Sequence, residues 1–146
     1  YNKKTIKQIG VCWVLGKGFW SMEIDRDLQD NYLKWTQNSL EEMRTHQANL
    51  TRDPSNKDLV DAIYAIAHNI KGMGSSFGFS LMTDTGTSFC RYIRKLDGRT
   101  INLDVVDAHI RSFEVVLVNR IQGDGGDMGR DLIDHLTQMV DQNLAA

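Results

Sequence analysis

Apolar residues recur along this chain at three- and four-residue intervals, and nearly every stretch between turn signals reads as an amphipathic helix. The first pattern opens at Met22 and runs through Ile24, Leu28, Tyr32, Leu33, Trp35, Leu40 and Met43 to Leu50, where Asp53-Pro54 interrupts it. Ser55-Asn56-Lys57-Asp58 then has the form of an N-cap with an acidic residue three positions on, opening a second helix. In that helix Leu59, Ile63, Ile66, Ile70, Met73 and Phe77 make a narrow apolar seam. A third helix is expected from Ser80 to Leu96, stopping at Asp97-Gly98, with Gly86 as its weak point. Asn102 can cap a fourth, whose apolar face is Leu103, Val106, Ile110, Phe113, Val116, Leu117 and Ile121. The Gly-rich turn at 123–129 separates it from a fifth, running to about Asn143. There is no convincing strand and no repeat, so the fold expected is all-α: an antiparallel up-and-down four-helix bundle with one additional helix.

The second helix carries the candidate chemistry. At about 100° per residue, His68 falls roughly 180° from the centre of the apolar seam, and Asp61, Lys71, Gly72 and Ser75 fall within about 60° of it. A helical histidine is most often a satisfied core residue or an ordinary surface one. Here three glycines, Gly72, Gly74 and Gly78, lie in or just after the helix, although each costs on the order of 1 kcal/mol relative to alanine in a helix interior. Glycine four residues after the histidine leaves the ring uncrowded, and lysine three residues after it brings a cation alongside. An outward imidazole so placed suits a nucleophile that takes a phosphoryl group from a partner protein.

The run Ala67-His68-Asn69-Ile70-Lys71-Gly72-Met73-Gly74-Ser75-Ser76-Phe77-Gly78-Phe79 resembles the phosphoacceptor motif of histidine-containing phosphotransfer (HPt) domains. Val106-Asp107-Ala108-His109 and Gly123 to Gly129 resemble the later part of small bacterial HPt proteins, and the likeness covers roughly residues 22 to 146. The motif is also similar to the phosphoacceptor domain of chemotaxis histidine kinases. In those a glutamate on the next helix commonly bonds the histidine ring; Cys90 stands at the matching position here, which favours the phosphorelay protein and leaves open what orients the ring.

The resemblance implies a phosphohistidine carrier of bacterial two-component phosphorelays, rather than an ATP-dependent kinase. His68 would accept a phosphoryl group from an aspartyl-phosphate on one receiver domain and pass it to the aspartate of another. Lys71 would offset phosphoryl charge, Gly72 would give steric access, and Ser75 would supply a hydrogen bond. Tyr64 and Phe79, on the same outer side, are candidate apolar contacts for the receiver, and Gly78 is a further candidate for partner binding. The partners implied are receiver domains of response regulators and of a hybrid or separate histidine kinase. No cofactor is expected on this chain; the divalent metal, Mg, belongs to the partner receiver. The alternatives are a helical adaptor that binds receivers without phosphotransfer and the phosphoacceptor domain of a larger histidine kinase.

Composition narrows the field further. A chain of 146 residues fits one domain and is too short to include a nucleotide-binding kinase module as well. Residues 1–21 carry four lysines and no acid, so residues 22–146 hold 13 basic and 19 acidic side chains, a balance that argues against a nucleic-acid binder. Residues 1–21 are read as an N-terminal extension, with Met22 as a candidate natural start, and 22–146 as the HPt domain. Cys12 and Cys90 have no metal-ligand spacing and fit a reducing cytoplasm. The apolar run Ile9 to Leu15 is far short of the roughly 20 residues a membrane span needs, so neither a targeting segment nor a membrane helix is expected, and a cytoplasmic monomer is.

Other motifs fall away. His46, His109 and His135 lack the Glu-x-x-His pairs of a metal-binding bundle, and Asp131 with His135 reads as a surface pair. Residues 123–129 lack the alternating ligands of a calcium loop, and Gly16-Lys17-Gly18 lacks the rest of a phosphate-binding fingerprint. No element that would stabilise an oxyanion is evident beside Ser75, which argues against a nucleophilic hydrolase.

Overall fold

The computed structural model describes residues 17–146, with side chains from Arg26 onward. Among the described residues five helices follow in order: α1 Lys17–Arg52, α2 Lys57–Gly74, α3 Ser80–Arg94, α4 Leu103–Asn119 and α5 Gly126–Ala145, with a 3-10 turn at Ser75–Phe77 after α2. Among the described residues there is no strand. Of the expected extension, residues 1–16 lie outside the described residues, and 17–21 form the start of α1.

Local chemistry sets the helix boundaries. The Asn56 side chain accepts from the Leu59 N–H (3.2 Å) to open α2, and Asn102 accepts from Asp104 and Val105 to open α4, each relieving donors that have no partner within the helix. At the ends of α3 and α5, Arg99 donates to the carbonyls of Lys95, Leu96 and Leu144, so one guanidinium satisfies acceptors from two helices.

Helices α1 to α4 close a ring in which each packs on the next and α4 returns to α1, while α5 lies against α3 and α4. The bundle is antiparallel: Asp30 pairs with Arg120, and a helix length away Arg44 binds both Asp107 and Glu114. Its centre is filled by Met43, Leu50, Ile63, Ile70, Phe79, Leu81, Met82, Phe89, Tyr92, Ile110 and Phe113, all fully buried. Each such side chain contributes about 1.5–3 kcal/mol relative to exposure. Among the described residues α5 packs on α3 and α4, α2 is flanked by α1 and α3, and no described helix covers its outer face.

The core also holds a histidine. His109 is fully buried, stacked on Phe89 with ring centroids 4.7 Å apart. Its Nδ1 lies 2.8 Å from the Val105 carbonyl, which can only accept, so Nδ1 carries the proton and Nε2 accepts from the Ser88 hydroxyl at 2.9 Å. Burial pushes its pKa down to about 4, against a smaller opposing effect of the Val105 bond.

Candidate functional site

The side chains of α2 divide as its periodicity requires, with one shift. Ile63, Ala67, Ile70 and Gly74 are buried, Leu59, Ile66, Met73 and Phe77 are half-buried, and His68, Asn69, Gly72, Ser75 and Asp61 are exposed. The buried stripe turns toward α3 because small residues there let the two helices meet. A Cβ built on Gly86 of α3 would lie 2.7 Å from Lys71 Cβ and 3.2 Å from the Ala67 carbonyl oxygen; one on Gly74 would lie 2.8 Å from Thr83 Oγ1. Gly86, the weak point of the third helix in sequence terms, is thus the contact directly behind Lys71.

Two hydroxyls from the neighbouring helices hold the C-terminal turn of α2. Tyr32 of α1 donates to the Ile70 carbonyl (3.1 Å). Thr83 of α3 donates to the Lys71 carbonyl (2.8 Å) and accepts from the Ser75 N–H (2.9 Å). The last carbonyls of a helix lack intrahelical partners, and here side chains on both sides engage them where the backbone tightens into the 3-10 turn. Burial raises the Tyr32 phenol to about 12, opposed by the bond with Thr36, so it stays a neutral donor. Gly78, at φ +89, then reverses the chain; an L side chain is strained there. The Gly78 carbonyl accepts from the Gly123 N–H (2.7 Å), and the Gly123 carbonyl accepts from Leu81 (2.9 Å), tying the Gly-rich loop to the turn below the site.

Most of the residues singled out from sequence come together on this face. His68 is exposed, Gly72 one turn on is exposed, and a Cβ built on Gly72 meets nothing within 4 Å. Lys71 is half-buried, its backbone against Gly86, and Ser75 is exposed at the end of the helix. Gly78 is exposed, with the Gln29 side chain against one side of it. Tyr64 is half-buried and stacks on His68, ring centroids 6.0 Å apart and planes 16° from parallel.

Phe79 is the exception. Expected on the outer side as a receiver contact, it is fully buried and stacked on Tyr32 at 5.9 Å. The helical register that placed it outward ends at Gly74; the 3-10 turn and the reversal at Gly78 send it into the core.

Sequence reasoning passed over Thr83 and the packing role of Gly86. Threonine gave no signal, but a glycine inside an otherwise regular helix was itself a hint of close approach. Cys90, on α3, is fully buried. Burial pushes its thiol pKa up, and the nearby charges of Lys71 and Arg94 act in the opposite direction. Among the described residues no group of His, Cys, Asp and Glu could hold a metal ion, and no helix is long and apolar enough to cross a membrane.

No curated protein and no solved structure matches the chain. The family described as Hpt domain matches residues 31–146, which spans α1 from Asn31 through α5 and includes the whole of the His68 face. HPt domains take part in two-component phosphorelays and interact with receiver domains. On that match, together with the five-helix bundle, the chain belongs to the Hpt domain family.

Proposed function

We propose that this protein is a phosphohistidine carrier in which His68 takes a phosphoryl group from the aspartyl-phosphate of one receiver domain and delivers it to the aspartate of another. The observation that carries the reading is an exposed imidazole on the face of α2 that no described helix covers, beside a glycine whose missing side chain leaves open space. Imidazole offers a neutral nitrogen nucleophile near neutral pH. The unprotonated ring nitrogen attacks phosphorus, the N–P bond forms, the P–O bond to the receiver aspartate breaks, and that carboxylate leaves; the other ring nitrogen keeps its proton. Transfer onward is the reverse sequence with a second receiver.

Phosphoryl transfer depends chiefly on alignment and charge neutralisation. Lys71 contributes a cation beside the acceptor, Gly72 admits the receiver surface, and Ser75 offers a hydroxyl to a phosphoryl oxygen. Tyr64 and the turn at Gly78 border the docking face. The receiver contributes the aspartate and its Mg ion. The setting in this reading is a bacterial two-component system in the cytoplasm, between a hybrid or separate histidine kinase and a response regulator.

The test is to incubate the protein with ATP alone and then with a phosphorylated receiver. Label only in the presence of the receiver is the expected result. Self-labelling from ATP would make the chain part of a kinase, and no label in either case would leave an adaptor.

A further inference from the structure

The imidazole of an exposed helical histidine rotates freely unless something holds it, and a nucleophile that must be aligned with phosphorus reacts faster when its orientation is already set. Among the described residues the hydrogen bonds to histidine rings are those of His109, and none reaches a ring nitrogen of His68. Cys90, on the face of α3 turned toward Lys71, is a buried thiol that burial keeps protonated, and it supplies neither a carboxylate nor an amide.

The His68 ring does pair with that of Tyr64. Side chains on a helix lean toward its N-terminus, over the residue four positions earlier. The imidazole therefore lies along the phenol ring, within the separation at which offset stacking is favourable, 6.0 Å between centroids and 16° between planes. Tyr64 is itself half-buried in the apolar cluster, so it is anchored where His68 is not.

We propose that Tyr64 is a positioning residue for phosphotransfer, fixing the plane of the His68 ring by stacking while leaving both ring nitrogens unbonded, one for attack and one for the proton. This rests on His68 being the phosphoacceptor. It separates Tyr64 from a simple docking contact, because a docking residue sets how tightly the receiver binds, whereas a positioning residue sets how fast the bound pair reacts.

The experiment is single-turnover transfer from a phosphorylated receiver, varied to saturation, to wild type, Tyr64→Leu and Tyr64→Phe. Stacking of this kind accounts for roughly a two- to tenfold effect. Tyr64→Leu is expected to lower the maximal rate by that factor with an unchanged half-saturating concentration, and Tyr64→Phe to restore it. An unchanged maximal rate, or a raised half-saturating concentration alone, would overturn the proposal. NMR of the protein without any partner reads the stack separately. Wild type is expected to show cross-relaxation between the two rings and a ring-current shift of His68 that Tyr64→Leu abolishes. Absence of both in wild type would overturn the proposal even if the leucine variant did not fold. Failure of wild type to accept phosphate at all would instead count against the phosphocarrier reading.

Discussion

Replacing Gly72 should move stability and activity in opposite directions. A Cβ at this position meets nothing within 4 Å, and the residue lies inside α2, so alanine introduces no clash. It also removes the conformational freedom that glycine gives the unfolded chain, a gain of about 0.5–1 kcal/mol. For a chain of this size that corresponds to a rise in Tm of about 1–4 °C. If His68 is the phosphoacceptor proposed above, the space the methyl group enters is the space through which a receiver reaches it, one turn away. Alanine fills little of it, but glutamine carries a flexible side chain across it, and Gly72→Gln is expected to slow transfer by tenfold or more while the bundle stays folded. Urea denaturation of wild type and Gly72→Ala measures the first effect; transfer from a phosphorylated receiver to Gly72→Gln measures the second. A destabilised alanine variant would contradict the open space, and an unimpaired glutamine variant would refute the argument from access.

Gly86→Ala should behave in the opposite sense, since its Cβ would press 2.7 Å from Lys71 Cβ and 3.1 Å from Lys71 Cα. Overpacking costs about 1–3 kcal/mol and the helix-propensity gain offsets about 1 kcal/mol of it, so chemical denaturation should show a net loss of up to about 2 kcal/mol, with slower transfer as Lys71 is displaced; a more stable variant would show that α2 and α3 can separate freely. His109 gives a pH dependence. Its folded pKa of about 4 lies below the unfolded value near 6.5, so its contribution is full above about pH 6.5 and is lost as pH falls toward about 4. The total is roughly 3 kcal/mol. Urea midpoints between pH 7 and 4 should therefore fall less steeply in His109→Gln than in wild type, and parallel curves would contradict burial of a neutral ring.

The elements that were legible in the sequence are those whose boundaries are chemical. Asn102 caps α4 because its side chain bonds the free N–H groups of the first turn, a preference written in residue type; at α2 the cap falls on Asn56, one residue after the Ser55 that the spacing to Asp58 indicates. The exposure of His68 and Gly72 follows from periodicity alone, because α2 is regular up to Gly74, and Ser75, the next residue, keeps the same side. Periodicity failed where the helix stopped. Phe79 was assigned to the surface by extending the α2 register past a turn that the positive φ of Gly78 reverses. Burial at Ala67, Gly74 and Gly86 was hidden for a different reason: small residues carry little hydrophobic signal, and their contribution is to let α3 come close, which depends on a partner helix distant in sequence. The hydroxyl of Thr83, bonded to both Lys71 and Ser75, depends on the same approach. The Tyr64–His68 stack lay within reach of sequence reasoning, since residues four apart on a helix are neighbours, but spacing alone does not distinguish a ring that docks a partner from one that holds its neighbour.

The most direct test of the phosphocarrier account is the position of the label. Wild type and His68→Gln would each be exposed to a phosphorylated receiver, and the products mapped by peptide mass spectrometry under alkaline conditions that preserve an N–P bond. The expected result is a single phosphorylated peptide containing His68 in wild type and none in the variant, with equal helical circular dichroism for both. Undiminished label in His68→Gln would contradict the account.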